Sequence, residues 1–273
     1  MKSFTLNTKL RVALLCTAIM VMALVIWPFD IATAVTNGRP DGNLHPYVGL
    51  ADNGQFACSG TLLCPNVFLT AAHCFDVGDR VRITFDTNGF FASPRESYFG
   101  TFYPDPQFCI GCGPGLVGFD SHDVAVVVLE GEGVPTSVVG TYGQLPTEGL
   151  VDTLPMGTEV TLVGYGVQNF VRGGGPPQAG DFFTRFFAPS QLVQSNNRIS
   201  GEFIKLTANP AKGKGGICFG DSGGPDLLGD SNIILAVNSF VNNSNCAGVT
   251  YSYRVDTPEA LSFINLFLSY CPQ

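Results

Sequence analysis

Ser222 lies in the stretch Gly220-Asp221-Ser222-Gly223-Gly224-Pro225, which satisfies the pattern G-x-S-x-G. Glycines on both sides of a serine let the backbone turn sharply and let a carbonyl approach the main chain with no Cβ in the way, as a nucleophilic serine needs. Alone, the same pattern also describes an ordinary glycine-rich turn. A hydroxyl is a poor nucleophile until a base takes its proton, so the stretch acquires chemical meaning only if a histidine serves it. The chain has three, His45, His73 and His122, and all precede Ser222. That order excludes the α/β-hydrolase arrangement, in which the histidine follows the serine, and leaves the orders His, acid, Ser and acid, His, Ser.

His73 stands in "FLTAAHCF" with Cys74 behind it. The segments "ACSGTLL" and "NVFLTAAH" read as short strands joined tightly through Cys64-Pro65-Asn66, a hairpin that a Cys58 to Cys74 bridge would staple next to the imidazole. Asp123 immediately precedes the aliphatic run from Val124 to Leu129, which reads as a buried strand. Buried against the His73 ring, its carboxylate would fix the tautomer and stabilise the imidazolium formed when Ser222 gives up its proton. Asp120 competes on spacing and reads as a loop or capping residue, and His122 reads as structural or surface.

The elements that must hold these side chains are short. With 33 Gly and 18 Pro interrupting the apolar runs of a chain of 273 residues, the spacing is that of an all-β protein. At the N-terminus Lys2, Lys9 and Arg11 precede an apolar run over residues 12–29, and Ala32-Thr33-Ala34 supplies small residues for a signal peptidase. Residues 1–34 are therefore expected to be a cleaved export signal with Val35 as the first mature residue; an uncleaved anchor is the alternative, at the short limit for a bilayer span. Removal of the signal leaves 11 basic and 21 acidic residues, a net charge of −10. Such a surface repels phosphate backbones, so neither nucleic acid nor anionic lipid is expected as a partner. Eight of the nine cysteines lie in the mature part, an even number that fits disulfides in an oxidising compartment.

"TAAHC" around His73, "DVAVVVL" from Asp123 and "GDSGGP" around Ser222 occur in the order and at about the separations found in one family. The chain resembles the chymotrypsin-like serine proteases of the trypsin family, from "VTNG" at Val35 to its C-terminal helix. The resemblance implies His73 as general base and acid, Asp123 as its orienting partner and Ser222 as the nucleophile that forms an acyl-enzyme. It implies an oxyanion hole from the backbone N–H groups of Gly220 and Ser222. Ser239 corresponds to a serine that supports the buried aspartate, and Cys218 and Cys246 to a bridge bracing the specificity pocket. Members of the family insert a new N-terminal Ile or Val amine beside the aspartate preceding the serine, here Asp221. Because "VTNG" directly follows the expected signal-peptidase site, export itself is expected to activate the protein by freeing the Val35 amine.

Gly216 falls at the base of the primary pocket, where trypsin-like enzymes carry an acid, so the resemblance implies no counter-charge there for Lys or Arg. Val241 and Thr250 resemble wall residues that narrow the pocket in elastase-like members. Small or medium apolar side chains are therefore expected at the cleaved position, with graded preference. Asp226, directly after "GDSGGP", departs from the family's usual apolar residue; it is either buried and paired with a donor or reshapes the pocket floor. Cys109 and Cys112 lie in an insertion-like loop where a disulfide is a better use than zinc, which needs four ligands. Cys64, Cys109, Cys112 and Cys271 leave three pairings open.

The expected fold is two six-stranded antiparallel β-barrels with a C-terminal helix. Residues 35–140 would form the first barrel, with His73 and Asp123, and 141–273 the second, with Ser222, the pocket and the helix. Strands are expected near residues 46, 57, 67, 81, 98 and 124, and near 159, 183, 202, 233 and 249. The helix would be capped by Asp256 or Thr257 and bury Leu261, Ile264 and Leu268. Residues 172–180, "RGGGPPQAG", read as a surface loop open to self-cleavage. The function implied is that of a secreted monomeric endopeptidase acting on proteins or peptides, open to protease inhibitors and using no metal or cofactor. A non-catalytic homologue that binds a partner is the alternative.

Overall fold

The computed structural model describes residues 35–93, 96–112, 121–167, 183–194, 201–243 and 246–272. The expected export signal, Asp120 and the expected self-cleavage loop at 172–180 lie outside these residues. The chain begins with a two-residue strand β1 (Arg39–Pro40), followed by β2 (Val48–Asp52), β3 (Ala57–Cys64), β4 (Val67–Thr70), β5 (Arg80–Thr84), β6 (Tyr98–Pro104) and β7 (Ala125–Leu129). Strands β2 to β7 close an antiparallel barrel in the order β2-β3-β4-β7-β6-β5. Two single-turn helices, α1 (Thr136–Val139) and α2 (Leu150–Thr153), lead to β8 (Glu159–Gly164), β9 (Phe186–Gln194), β10 (Phe203–Ala208), β11 (Pro225–Leu228), β12 (Ile234–Val241) and β13 (Gly248–Arg254). These six follow the order β9-β10-β13-β12-β11-β8, and pairing of β8 with β9 closes the second barrel.

The sequence pattern explains most of this. Ala125 to Leu129 lies between β4 and β6, so its near-unbroken aliphatics replace the alternation of a half-exposed strand. One apolar cluster runs from Leu50, Phe68 and Phe102 of the first barrel through Phe203 and Val237 of the second to Phe263 and Ile264. A second cluster, with Val160, Leu162, Ile204, Leu206 and Ile217, fills the second barrel and also takes Val35. Besides the two-residue β1, one strand is missing from the expected lists, β11. Its first residue is proline and its second is aspartate, both poor strand signals, and it follows the glycines of the serine loop.

The expected spans 35–140 and 141–273 each send one end across to the other barrel. Residues 35–40 serve the second barrel, since Thr36 bridges Gly216 and Arg39 pairs with Phe187 of β9. The C-terminal helix α3 (Pro258–Asn265) is tied the other way: Cys271 is bridged to Cys64 of β3, and Phe267 packs on Tyr103 of β6. Thr257 caps α3 by accepting from the Ala260 N–H at 3.2 Å. Its buried residues are Ala260, Phe263 and Ile264, so the inward stripe is rotated from the expected Leu261, Ile264 and Leu268.

Disulfides join Cys58 to Cys74, Cys64 to Cys271, Cys109 to Cys112 and Cys218 to Cys246. Arg185, fully buried, is a second kind of tie that sequence reasoning did not find. Its guanidinium donates to Asp41 at 2.8 Å, to the carbonyls of Val48 and Phe85 at 3.0 Å and to the Tyr165 hydroxyl at 3.1 Å. It thereby locks the N-terminal segment to both barrels. Burial pushes the Asp41 carboxyl up, but hydrogen bonds from His45 and the Arg185 charge outweigh that and hold it below the usual carboxylate range.

Candidate active site

His73 sits in a short 3₁₀ turn, Ala72–Cys74, directly after β4, with its position fixed by the Cys58–Cys74 bridge back to β3. Asp123 precedes β7, the strand paired with β4, so the two residues meet at the same end of adjacent strands. The ring Nδ1 of His73 lies 2.8 Å from Asp123 Oδ2, and the His73 backbone N–H donates to Oδ1 at 3.0 Å. The Ser239 hydroxyl from β12 of the other barrel also donates to Asp123 Oδ2. Asp123 is wholly buried and His73 partly open, so the imidazole is the exposed end of the pair. Burial raises the Asp123 carboxyl, yet the His73 charge and the hydrogen bonds from His73 and Ser239 together hold it below the ordinary value.

The serine loop is docked onto the same strand end. The Ser59 N–H of β3 donates to the Ser222 carbonyl at 2.7 Å, and its hydroxyl donates to the Gly220 carbonyl at 2.9 Å. Thr70, three residues before His73, donates its hydroxyl to the Ser59 carbonyl at 2.8 Å. Gly223, at φ +83°, approaches so closely that a Cβ would strike the Thr70 hydroxyl and come within 3.0 Å of the Ala71 nitrogen. Any other residue would force the loop away from the strand that carries His73. Gly220, beside Ser222, is also in positive φ, at +94°. Ser59 and Thr70 were missed in the sequence because a serine and a threonine in a strand carry no distinguishing pattern.

Asp221 is fully buried and accepts from the backbone N–H groups of Cys218 and Gly166, each at 2.8 Å. Burial, against those two hydrogen bonds, pushes its carboxyl up to about 7. Val35 is buried too, with φ +44°, a conformation a β-branched residue seldom takes. Next to it the Thr36 hydroxyl accepts from the Gly216 N–H at 2.9 Å. Around Gly216 the structure brings Thr250, whose methyl would lie 2.9 Å from a Cβ at that position, and Thr250 pairs with Val241 across β12 and β13. The Cys218–Cys246 bridge closes the same region, and Phe219 projects half-exposed between Cys218 and Gly220. Among the described residues the one three-member grouping of metal-ligating side chains is Cys58, His73 and Cys74, whose disulfide removes both thiolates.

Asp226 is fully buried, and among the described residues neither carboxylate oxygen has a partner within hydrogen-bond geometry. Asp226 is buried, as one of the two outcomes the sequence left open has it, and Ser252 is the hydroxyl that acts on it.

The model of the Trypsin family matches residues 35–264, and the chain belongs to that family of serine proteases. It is 24% identical over 254 residues to neutrophil elastase of Mus musculus, covering 91% of this chain and 88% of that one. It is 26% identical over 223 residues to collagenase of Hypoderma lineatum, covering 74% and 75%. Among solved structures, human heparin binding protein aligns with a TM-score of 0.63 at 22% identity over 85% of this chain and 96% of its own. HL collagenase aligns at 0.63 and 20% identity, over 88% and 97%. The barrels are therefore those of the chymotrypsin fold.

Proposed function

We propose that the chain is a secreted serine endopeptidase that cleaves proteins or peptides through Ser222, His73 and Asp123. The observation that carries this is the buried Asp123 carboxylate 2.8 Å from the His73 ring and supported by Ser239. With Nδ1–H held by Asp123, the other ring nitrogen is the one assigned to take the Ser222 proton. Ser222 Oγ then attacks the substrate carbonyl, the N–H groups of Gly220 and Ser222 hold the developing oxyanion, and His73 returns the proton to the leaving amine. Water, deprotonated by His73, releases the acyl group in the second half.

Activation follows from release of the Val35 amine. The freed ammonium supplies a cation for the buried Asp221 carboxyl, and their pairing orders the loop from Cys218 to Ser222. Four disulfides suit an oxidising destination for the exported chain. Gly216, Ser239, Val241 and Thr250 line the primary pocket, and those four alone favour small or medium apolar side chains at the cleaved bond.

The test is the intact mass of the exported protein before and after a fluorophosphonate, with Ser222→Ala as control. A chain starting at Val35 that gains one adduct, absent from the variant, supports the proposal. A chain that starts at Val35 and stays unmodified turns it over in favour of a binding homologue. Heparin binding protein, one of the solved structures of this fold, is named for a polyanion that it binds, but the net charge of −10 of the mature chain opposes a polyanion as the partner here.

A further inference from the structure

Seven buried side-chain nitrogen or oxygen atoms lack a hydrogen-bond partner among the described residues, and five of them belong to Asp226, Asn238, Thr250 and Ser252. The remaining two, on Thr61 and His122, are scattered elsewhere. Native interiors rarely leave such groups unpaired, so a concentration of five marks a place where a partner is meant to arrive.

Strand register puts the four residues on one face. Asp226 of β11 pairs with Leu162 and Ala236, both members of the second barrel's interior cluster. Asn238, two residues beyond Ala236, shares that face and pairs with Ser252 of β13. Thr250, two residues before Ser252, comes next and meets Gly216. The polar groups thus descend from Gly216 into the barrel and end at Asp226. Burial pushes the Asp226 carboxyl up to about 8, the nearby Ser252 hydroxyl drawing it back slightly without the geometry of a hydrogen bond.

All five unpaired atoms are oxygens able to accept, and one group among them can carry a full negative charge. The complement is a donor-rich cation at the end of an apolar stem, as in Lys and Arg. We infer that Asp226 is a specificity-determining residue: with Asn238, Thr250 and Ser252 it forms a polar floor beneath Gly216 that selects a cationic side chain at the cleaved bond. The missing acid at Gly216 is replaced by one from the next strand, β11. Val241 and the Thr250 methyl then grip the stem, and the arriving cation lets Asp226 shed its proton. This inference rests on the endopeptidase reading and replaces the apolar preference expected from Gly216, Val241 and Thr250 alone with a cationic one.

The test compares two peptide substrates that differ only in arginine or citrulline at the cleaved position, isosteric side chains with and without charge. Fluorophosphonate labelling of the same preparation reports on Ser222 separately. The expected kcat/KM ratio for arginine over citrulline is at least about tenfold, the size of a charge pair shielded from bulk water. In Asp226→Asn that ratio falls to near one. A labelled wild-type protein that cuts both peptides alike overturns the inference and leaves the endopeptidase standing. If no label is taken up, the endopeptidase reading fails, and calorimetry with benzamidine, a small aromatic cation, decides the floor. Benzamidine binding that is lost in Asp226→Asn supports it, and no binding to wild type overturns it.

Discussion

Replacement of Asp123 by Asn isolates the role of one charge with almost no change of shape. In the wild type both carboxylate oxygens act only as acceptors: Oδ1 for the His73 backbone N–H, and Oδ2 for the ring Nδ1–H and the Ser239 hydroxyl. An asparagine cannot satisfy all three donors. If its NH₂ replaces Oδ1, it faces the His73 N–H, a buried clash of donors costing about 1–3 kcal/mol. If its NH₂ replaces Oδ2, it forces Nδ1 to accept, so the proton moves to the other ring nitrogen and His73 can no longer take the Ser222 proton. The second arrangement avoids the backbone clash, so the wrong tautomer is the expected state. The expected loss in kcat/KM is about 10⁴-fold, equivalent to about 5.5 kcal/mol of transition-state stabilisation. Fluorophosphonate labelling should slow in parallel, because it uses the same proton transfer. Peptide cleavage and labelling rates, with the melting temperature as a control for folding, make the measurement. A loss under about tenfold in a variant with wild-type melting temperature would refute the assignment of Asp123 and His73.

Other outcomes follow from the same geometry. Arg185→Met leaves Asp41 buried without its cation and should destabilise the fold by about 3–5 kcal/mol in urea unfolding. Asp41 has a folded-state value below its unfolded one, so its contribution is present above the unfolded value near 4 and is lost as pH falls through the folded value. Wild-type stability should therefore drop below pH 4 more steeply than that of Arg185→Met. Loss of the Cys64–Cys271 bridge, which closes a separation of 207 residues, should cost about 3–5 kcal/mol in the Cys64→Ser, Cys271→Ser pair, read as a lower melting temperature. A chain still joined to residue 34, with no free amine for Asp221, should take up fluorophosphonate more than about tenfold slower than one starting at Val35. Equal rates would remove the activation scheme.

The motifs of the proposed triad were legible because chemistry constrains residue type at each: a histidine behind a stapled hairpin, an aspartate ahead of an aliphatic strand, a serine among glycines. The first barrel was legible for a related reason. Its six strands are apolar runs cut by turn formers, and pairing of near neighbours needs little long-range information. Strand β11 was not legible, because Pro225 and Asp226 are judged by local propensity as loop, while pairing with Leu162 and Ala236 on either side overrides it.

Pairings across long separations also lay beyond the sequence. Four cysteines admitted three connectivities, and only the placement of the C-terminal segment against β3 joined Cys64 to Cys271. The same holds for Ser59, which reaches Gly220 and the Tyr165 N–H across the interface of the barrels, and for the buried span of Arg185. The sequence by itself singled out the side chains of the proposed chemistry and determined that short strands must hold them, since residue type and period are local properties. Tertiary structure alone decided which groups face one another in the second barrel. Whether the Asp226 carboxylate finds a partner depends on the register of three strands distant in the chain, and no local pattern encodes it.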